Sequence, residues 1–117
     1  MFLQLNHQQL DVYSAAKQFA HECYRFTRHL PPEERFNMVQ QIRRAALSVV
    51  LNIAEGASRK SEVERKRFFE ISRGSLIEID AAFDVAESLG YFSGFDQKSL
   101  SELVNRTFSM LTKLLHH

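Results

Sequence analysis

Apolar residues recur along this chain at alternating steps of three and four, and this spacing decides which folds are open to it. In the first such segment the positions on the stripe are Val12, Ala16, Phe19, Cys23, Phe26 and Leu30. A stripe with that period lies along one side of an α-helix, because the helix turns once in about 3.6 residues. Four segments of this kind follow one another, so the sequence predicts an all-α fold without β-strands.

Proline and glycine separate the predicted helices. The pair Pro31-Pro32 ends helix 1, and Pro32 is suited to open helix 2, because the fixed φ of proline fits a first turn. Gly56 is predicted to cap helix 2 in a left-handed conformation, and Gly90 is predicted to close helix 3. The predicted buried stripes are Phe36, Val39, Ile42, Ala46, Val49 and Ile53 in helix 2; Phe68, Ser72, Ser75, Ile79, Ala82, Ala86 and Leu89 in helix 3; and Leu100, Val104, Thr107, Leu111 and Leu114 in helix 4.

Polar residues mark the two remaining helix starts. Ser61 and Glu64 have the Ser-x-x-Glu spacing of a capping box, and Asp96 can cap helix 4. The connections between helices are short, and a few residues cannot carry a chain back along a long helix. The sequence therefore predicts an antiparallel up-and-down four-helix bundle. Its 117 residues are expected to form one domain, 1–117.

Aromatic residues are more numerous than one bundle interior needs, with ten Phe in 117 residues. Several lie beside the core stripes: Tyr13, Tyr24, Phe69, Phe83, Tyr91, Phe92, Phe95 and Phe108. A widened apolar face favours a second buried surface, and thus a homo-oligomer. The alternative is that these rings cover the ends of the bundle.

Charge is segregated along the chain although the formal net charge is only +1. Residues 35–73 hold nine Lys and Arg against four Asp and Glu, whereas residues 74–117 hold three against six. A basic segment can neutralise nucleic-acid phosphates without reading sequence. The candidate nucleic-acid-binding residues are Arg43, Arg44, Arg59, Lys60, Arg65, Lys66 and Arg67. Alternatively, these cations form salt bridges along their own helices, as Glu62 can with Lys66, or Glu70 with Lys66 and Arg67.

Two polar strips are predicted to meet between helices 2 and 3. Ser48, Asn52 and Glu55 share one side of helix 2, and Ser75 and Glu78 share one side of helix 3. We expect these five residues to form a buried hydrogen-bond network that fixes the register of the two helices. Acid and base catalysis by the two carboxylates is the alternative, but nothing in the sequence supplies a nucleophile, a metal or a pocket.

Sites for other chemistry are not indicated. The lone Cys23 lies on an apolar stripe, no His follows a Glu by three residues as a di-iron motif requires, and His7, His21 and His29 are expected at the surface. We therefore predict no catalytic or metal-binding residues, no cofactor and no small-molecule substrate. No segment approaches the roughly 18 apolar residues of a membrane span, so a cytoplasmic location is expected. The terminal His116 and His117 are either native or derived from a purification tag.

Three motifs resemble a known family. "QIRRAALSVVLNIAEG" at 41–56, "GSLIE" at 74–78 and "AESLGYF" at 86–92 resemble the four-helix-bundle proteins encoded by intervening sequences in bacterial 23S rRNA genes. That family is similar to the accessory variability determinant of diversity-generating retroelements, a basic pentameric barrel that contacts nucleic acid and a reverse transcriptase. The resemblance implies a bundle that assembles into a ring of five copies, with RNA, DNA or a nucleoprotein as partner. It implies no known activity.

The leading hypothesis is a non-enzymatic, ring-forming bundle that binds nucleic acid or a ribonucleoprotein through its basic middle segment. The alternative is a protein-interaction scaffold without nucleic-acid binding, in which acidic late segments meet basic middle segments between subunits.

Overall fold

The computed structural model describes residues 2–5 and 10–116 of the chain. Within them the chain forms four α-helices, one short 3₁₀ turn at Pro32–Glu34, and no β-strand. The helices are α1 Asp11–His29, α2 Met38–Ser58, α3 Glu62–Ser88 and α4 Lys98–Leu115. The predicted all-α fold of four helices is therefore confirmed. The predictions made for His7 and His117 lie outside the described residues.

The four helices surround one core, with each packed against two neighbours. Helix α1 contacts α2 and α4, and α3 contacts the same two helices from the other side. Ser72 of α3 donates to the carbonyl of Val49 in α2, while Phe69, earlier in α3, lies beside Gly56, later in α2. These two helices are therefore antiparallel. Most positions of the predicted stripes are buried, and Cys23 is fully buried as predicted.

Helix α2 begins later than the spacing predicts. Pro32 opens a 3₁₀ turn instead of α2, and Asn37 then has a non-helical backbone (φ −131°, ψ −92°). Phe36 consequently lies outside the helix and is 74% exposed, against the prediction that it belongs to the core. Met38 is the buried residue at the start of α2.

Gly56 does not end α2 in a left-handed conformation, so this prediction is wrong. The helix continues through Gly56 to Ser58, and positive φ occurs in the described residues only at Gly90 and Gly94. Gly56 is needed for a different reason: a Cβ there would lie 2.8 Å from Phe69 Cε1 and 3.1 Å from the carbonyl oxygen of Arg65. Its missing side chain lets α2 and α3 approach closely.

Two further predicted helix ends, those marked by Gly90 and Ser61, agree with the structure. Gly90, with φ +80°, closes α3 as predicted, but Leu89 just before it is 54% exposed rather than buried. The Ser61 hydroxyl accepts a hydrogen bond from the Glu64 amide at the start of α3. The N-cap of α4 is Gln97 instead of the predicted Asp96, and its side chain makes no capping bond; Asp96, one residue earlier, accepts from the amide of Lys98, the first residue of α4.

Aromatic side chains close one end of the bundle. The Phe26 ring stacks on Phe92 with centroids 4.3 Å apart and meets Phe83 and Phe95 edge-on at 5.4 and 5.1 Å. Each such pair contributes about 0.5–1.5 kcal/mol beyond the area it buries. Three of the eight rings beside the core stripes, Phe83, Phe92 and Phe95, thus cover this end of the bundle.

Helices long and apolar enough to cross a membrane do not occur in the part of the chain that the structure describes.

Candidate nucleic-acid interface

A small hydrogen-bond network joins α2 to α3 at mid-height. Ser75 Oγ donates to Ser48 Oγ at 3.0 Å, and Asn52 Nδ2 donates to Ser48 Oγ at 3.0 Å and to the Ser48 carbonyl at 2.9 Å. Three of the five predicted residues therefore come together. The predicted carboxylates do not join them: Glu55 is half exposed and bonds to Arg59, and Glu78 is exposed. The Asn52 amide nitrogen donates to two acceptors of Ser48 and, among the described residues, to neither of the predicted carboxylates.

Arg59 is held in place at the α2–α3 turn. Its Nη2 lies 2.8 Å from Glu55 Oε2, its Nε lies 3.9 Å from Glu64 Oε2, and its guanidinium carbon lies 4.9 Å from the centroid of the Phe68 ring. Exposed pairs of this kind contribute at most about 1 kcal/mol each. The two carboxylates nevertheless weaken the attraction of Arg59 for a phosphate, because they neutralise its charge.

Arg65 and Lys66 are also engaged locally. Arg65 Nη1 donates to the carbonyl of Arg59 at 2.9 Å and to that of Lys60 at 2.8 Å. It thereby satisfies acceptors that the end of α2 leaves open. Lys66 Nζ lies 3.6 Å from Glu62, which is the salt bridge expected from their spacing.

Arg43 lies on the side of α2 that faces α1. Its Nε donates to Thr27 Oγ1 at 2.8 Å, and its guanidinium carbon lies 4.6 Å from the centroid of the Tyr24 ring. The hydrogen bond and the cation–π contact fix this side chain between α1 and α2. Arg43 therefore does not share a face with Arg44, its neighbour in sequence.

Three of the seven candidate cations are exposed and have no carboxylate within salt-bridge distance among the described residues: Arg44, Lys60 and Arg67. Arg67 does contact an aromatic ring, at 5.8 Å from the centroid of Phe68.

Two of these three cations flank the network on the same outer face. Arg44 precedes Ser48 by one helical turn, and Arg67 precedes Ser75 by two turns. Because α2 and α3 are antiparallel, the two cations lie on opposite sides of the Ser48–Ser75 bond, about 18 Å apart along the helices. We call this surface the α2–α3 face, defined by Arg44, Ser48, Arg67 and Ser75, with Lys60 in the turn at one end.

The sequence profile of the 23S rRNA-intervening sequence proteins matches residues 8–113. The chain belongs to this family. The match spans all four helices up to Lys113, and it agrees with the resemblance seen in the three motifs. No curated protein matches the chain.

In this member of the 23S rRNA-intervening sequence protein family, the titratable groups with shifted pKa values serve the fold. Burial, and then the charge of Glu22, raises the pKa of the Cys23 thiol, and both this shift and its full burial disfavour the thiolate. The hydrogen bond that the Tyr91 hydroxyl donates to Glu34, at 2.9 Å, raises the pKa of Tyr91. The hydrogen bond that Arg25 donates to Glu22 raises the pKa of Arg25.

Metal-binding clusters of three or more His, Cys, Asp or Glu side chains do not occur in residues 2–5 and 10–116. His21 and His29 are exposed as expected, and His29 Nε2 lies 2.9 Å from the carbonyl oxygen of Ser93.

Sequence reasoning missed a second basic surface in this family member. Lys17, His21, Tyr24 and Arg28 recur at helical spacing on α1 and line a groove against α2. The signal was present in the spacing of these residues, but the count of charges by segment hid it, since residues 1–34 carry nearly balanced charge.

Proposed function

We propose that this protein is a non-enzymatic, self-assembling helical bundle that binds the phosphate backbone of RNA or DNA through its α2–α3 face. The observation that carries the proposal is the exposure of Arg44, Lys60 and Arg67 without carboxylate partners among the described residues. An unpaired surface cation can displace the counterions of a phosphate without first breaking a salt bridge.

The shape of the α2–α3 face supports backbone binding rather than base reading. The cations flank Ser48, Asn52 and Ser75, whose hydrogen-bonding groups are largely used within the protein, and Glu55 and Glu78 are exposed on the same sides of α2 and α3. Contacts to phosphates position a nucleic acid but carry little sequence information. We therefore expect sequence-tolerant binding. The family description names 23S rRNA, so a structured rRNA fragment is the first ligand to test.

Binding should be measured by fluorescence anisotropy with a structured rRNA fragment and a duplex DNA over a range of salt concentrations. Replacing Arg44, Lys60 and Arg67 by Ala should reduce the slope of log K against log salt by about 2.7 on duplex DNA, since each phosphate contact contributes about 0.9. The matched control replaces three exposed cations of α4, Lys98, Arg106 and Lys113, with the same loss of charge.

Two results would contradict nucleic-acid binding by this face. One is the absence of binding at low salt. The other is an equal reduction in the α4 control, which would point to net charge alone.

Self-assembly is the second part of the proposal. The resemblance implies a ring of five copies, and we propose that the chain forms such a ring. A cytoplasmic location remains a prediction from the sequence. The runner-up function is a protein-interaction scaffold without nucleic-acid binding, and it is favoured by two apolar grooves of opposite charge on the bundle surface.

A further inference from the structure

One groove on the bundle is basic along its rim and apolar in its floor. It runs between α1 and α2, encloses about 430 Å³, and is lined among others by Lys17, His21, Tyr24, Arg28, Leu47 and Val50. Within the described residues, Asp and Glu are absent from its lining. Leu47 is 49% exposed there, and Arg43, held by Thr27 and Tyr24, adds a fixed positive charge beside it. We call it the basic groove.

A second groove has the opposite charge. It runs between α3 and α4, encloses about 510 Å³, and is lined among others by Ile77, Asp80, Asp84, Glu87, Leu100 and Val104. Lys, Arg and His are absent from the lining that residues 2–5 and 10–116 provide. Asp80, Asp84 and Glu87 stand at i, i+4 and i+7 on α3, and Ile77 is 51% exposed beside them. We call it the acidic groove.

The two grooves lie on opposite faces of the bundle. Helices α1 and α2 are neighbours, as are α3 and α4, and the two pairs pack side by side around the core. One copy therefore cannot bring its own grooves together, whereas two copies can. The charges that line the two grooves have opposite signs, and each groove also contains an exposed aliphatic side chain.

We infer that the acidic groove of one copy docks on the basic groove of the next. This inference rests on the self-assembly that we propose above, and it names the surfaces that meet. A contact between two different faces is heterologous, so it repeats from copy to copy and gives a ring where the rotation closes. A standard interface takes about 800 Å² from each partner. Two such faces would cover roughly a fifth of the 7428 Å² accessible surface, and none of the residues that define the α2–α3 face lines either groove.

Charge reversal tests this pairing. In one variant, Lys17→Glu and Arg28→Glu make both grooves acidic; in the other, Asp80→Lys and Asp84→Lys make both basic. Like charges facing each other across an interface oppose association. We expect each variant alone to dissociate into monomers, with a rise of about 100-fold or more in the dissociation constant, measured by sedimentation velocity at fixed salt.

Recombination of the two variants distinguishes docking from misfolding. In an equimolar mixture, every contact between one variant and the other pairs opposite charges, so the mixture should form complexes, although a closed ring of five keeps one contact between like copies. The fourfold variant pairs opposite charges at all five contacts and should assemble by itself. The control, Glu102→Lys with Arg106→Glu, reverses two exposed charges of α4 that line neither groove and should assemble like the wild type. Circular dichroism of each variant checks that the helices are intact.

The outcomes separate this inference from the proposed function. If the wild type assembles and either single-groove variant assembles equally well, the groove pairing is wrong while self-assembly stands. If folded variants dissociate but neither their mixture nor the fourfold variant assembles, the pairing is also wrong. If the wild type is a monomer at every concentration, self-assembly itself fails. Anisotropy with rRNA on the same samples tests nucleic-acid binding independently.

Discussion

Replacing Gly56 by Ala should destabilise the protein, although alanine is the better helix former. In the interior of a helix this substitution is worth about 1 kcal/mol in favour of alanine. Here the new Cβ would lie 2.8 Å from Phe69 Cε1 and 3.1 Å from the carbonyl oxygen of Arg65. Phe69 is only 6% exposed, so its ring has little room to move, and the Arg65 oxygen belongs to the backbone of α3. Overpacking of a core typically costs about 1–3 kcal/mol.

We expect the free energy of unfolding to fall by about 1 kcal/mol in Gly56→Ala, as the difference between these two effects. The matched control is Gly74→Ala, because Gly74 is also inside a helix, but a Cβ added there would meet no atom of the described residues within 4 Å. That control should gain up to about 1 kcal/mol. Urea titrations at one protein concentration measure both through the midpoint and the slope m.

A double-mutant cycle assigns the cost to its source. If the clash with the Phe69 ring is responsible, Gly56→Ala combined with Phe69→Leu should be more stable than the sum of the two single changes predicts. The reasoning about close helix approach is refuted if Gly56→Ala stabilises the protein as much as Gly74→Ala does.

Three further predictions concern single side chains. The Thr107 hydroxyl is fully buried and has no hydrogen-bond partner among the described residues. In urea titrations, Thr107→Val should therefore raise the free energy of unfolding by about 1 kcal/mol, and a decrease would show that the hydroxyl has a partner. The hydrogen bond to Glu34 raises the pKa of Tyr91 above its ordinary value, so the folded state favours the protonated phenol. The contribution of this bond to the free energy of unfolding is therefore present below about pH 10 and is lost as the pH rises further. Unfolding measured from about pH 9 to 11 should therefore be less pH-dependent in Tyr91→Phe, and equal slopes would oppose the assignment. Phe36→Ser should change stability by less than about 0.5 kcal/mol by thermal denaturation, whereas a core role for Phe36 requires a loss of several kcal/mol.

The fold could be predicted from the sequence because its helices carry strong, regular stripes. The errors occurred where a residue type has more than one use. Gly56 fits a helix cap by its type, but its actual use, close approach to Phe69, depends on a partner 13 residues away. Phe36 fits the stripe of α2 by its spacing, but the 3₁₀ turn before it changes the period.

The candidate site was harder to predict, because charge counts ignore direction. Arg43 and Arg44 are adjacent in sequence, yet Arg43 packs on Tyr24 of α1 and Arg44 faces solvent. Residues one apart on a helix differ in direction by about 100°, so a run of cations seldom forms one patch. Phosphate binding needs cations that share a face.

A local rule in the sequence sorts the paired cations from the unpaired ones. A carboxylate four residues before a cation on a helix is well placed for a salt bridge. Arg59 and Lys66 each have a Glu at that position, and both form the salt bridge. The residues four before Arg44 and Arg67 are Gln40 and Val63, neither of which carries a negative charge. Arg67 also has Glu64 and Glu70 three residues away on its own helix, but the salt bridges of the described residues join it to neither. The four-residue spacing therefore separates Arg59 and Lys66 from Arg44 and Arg67, while Lys60 lies in the turn between α2 and α3.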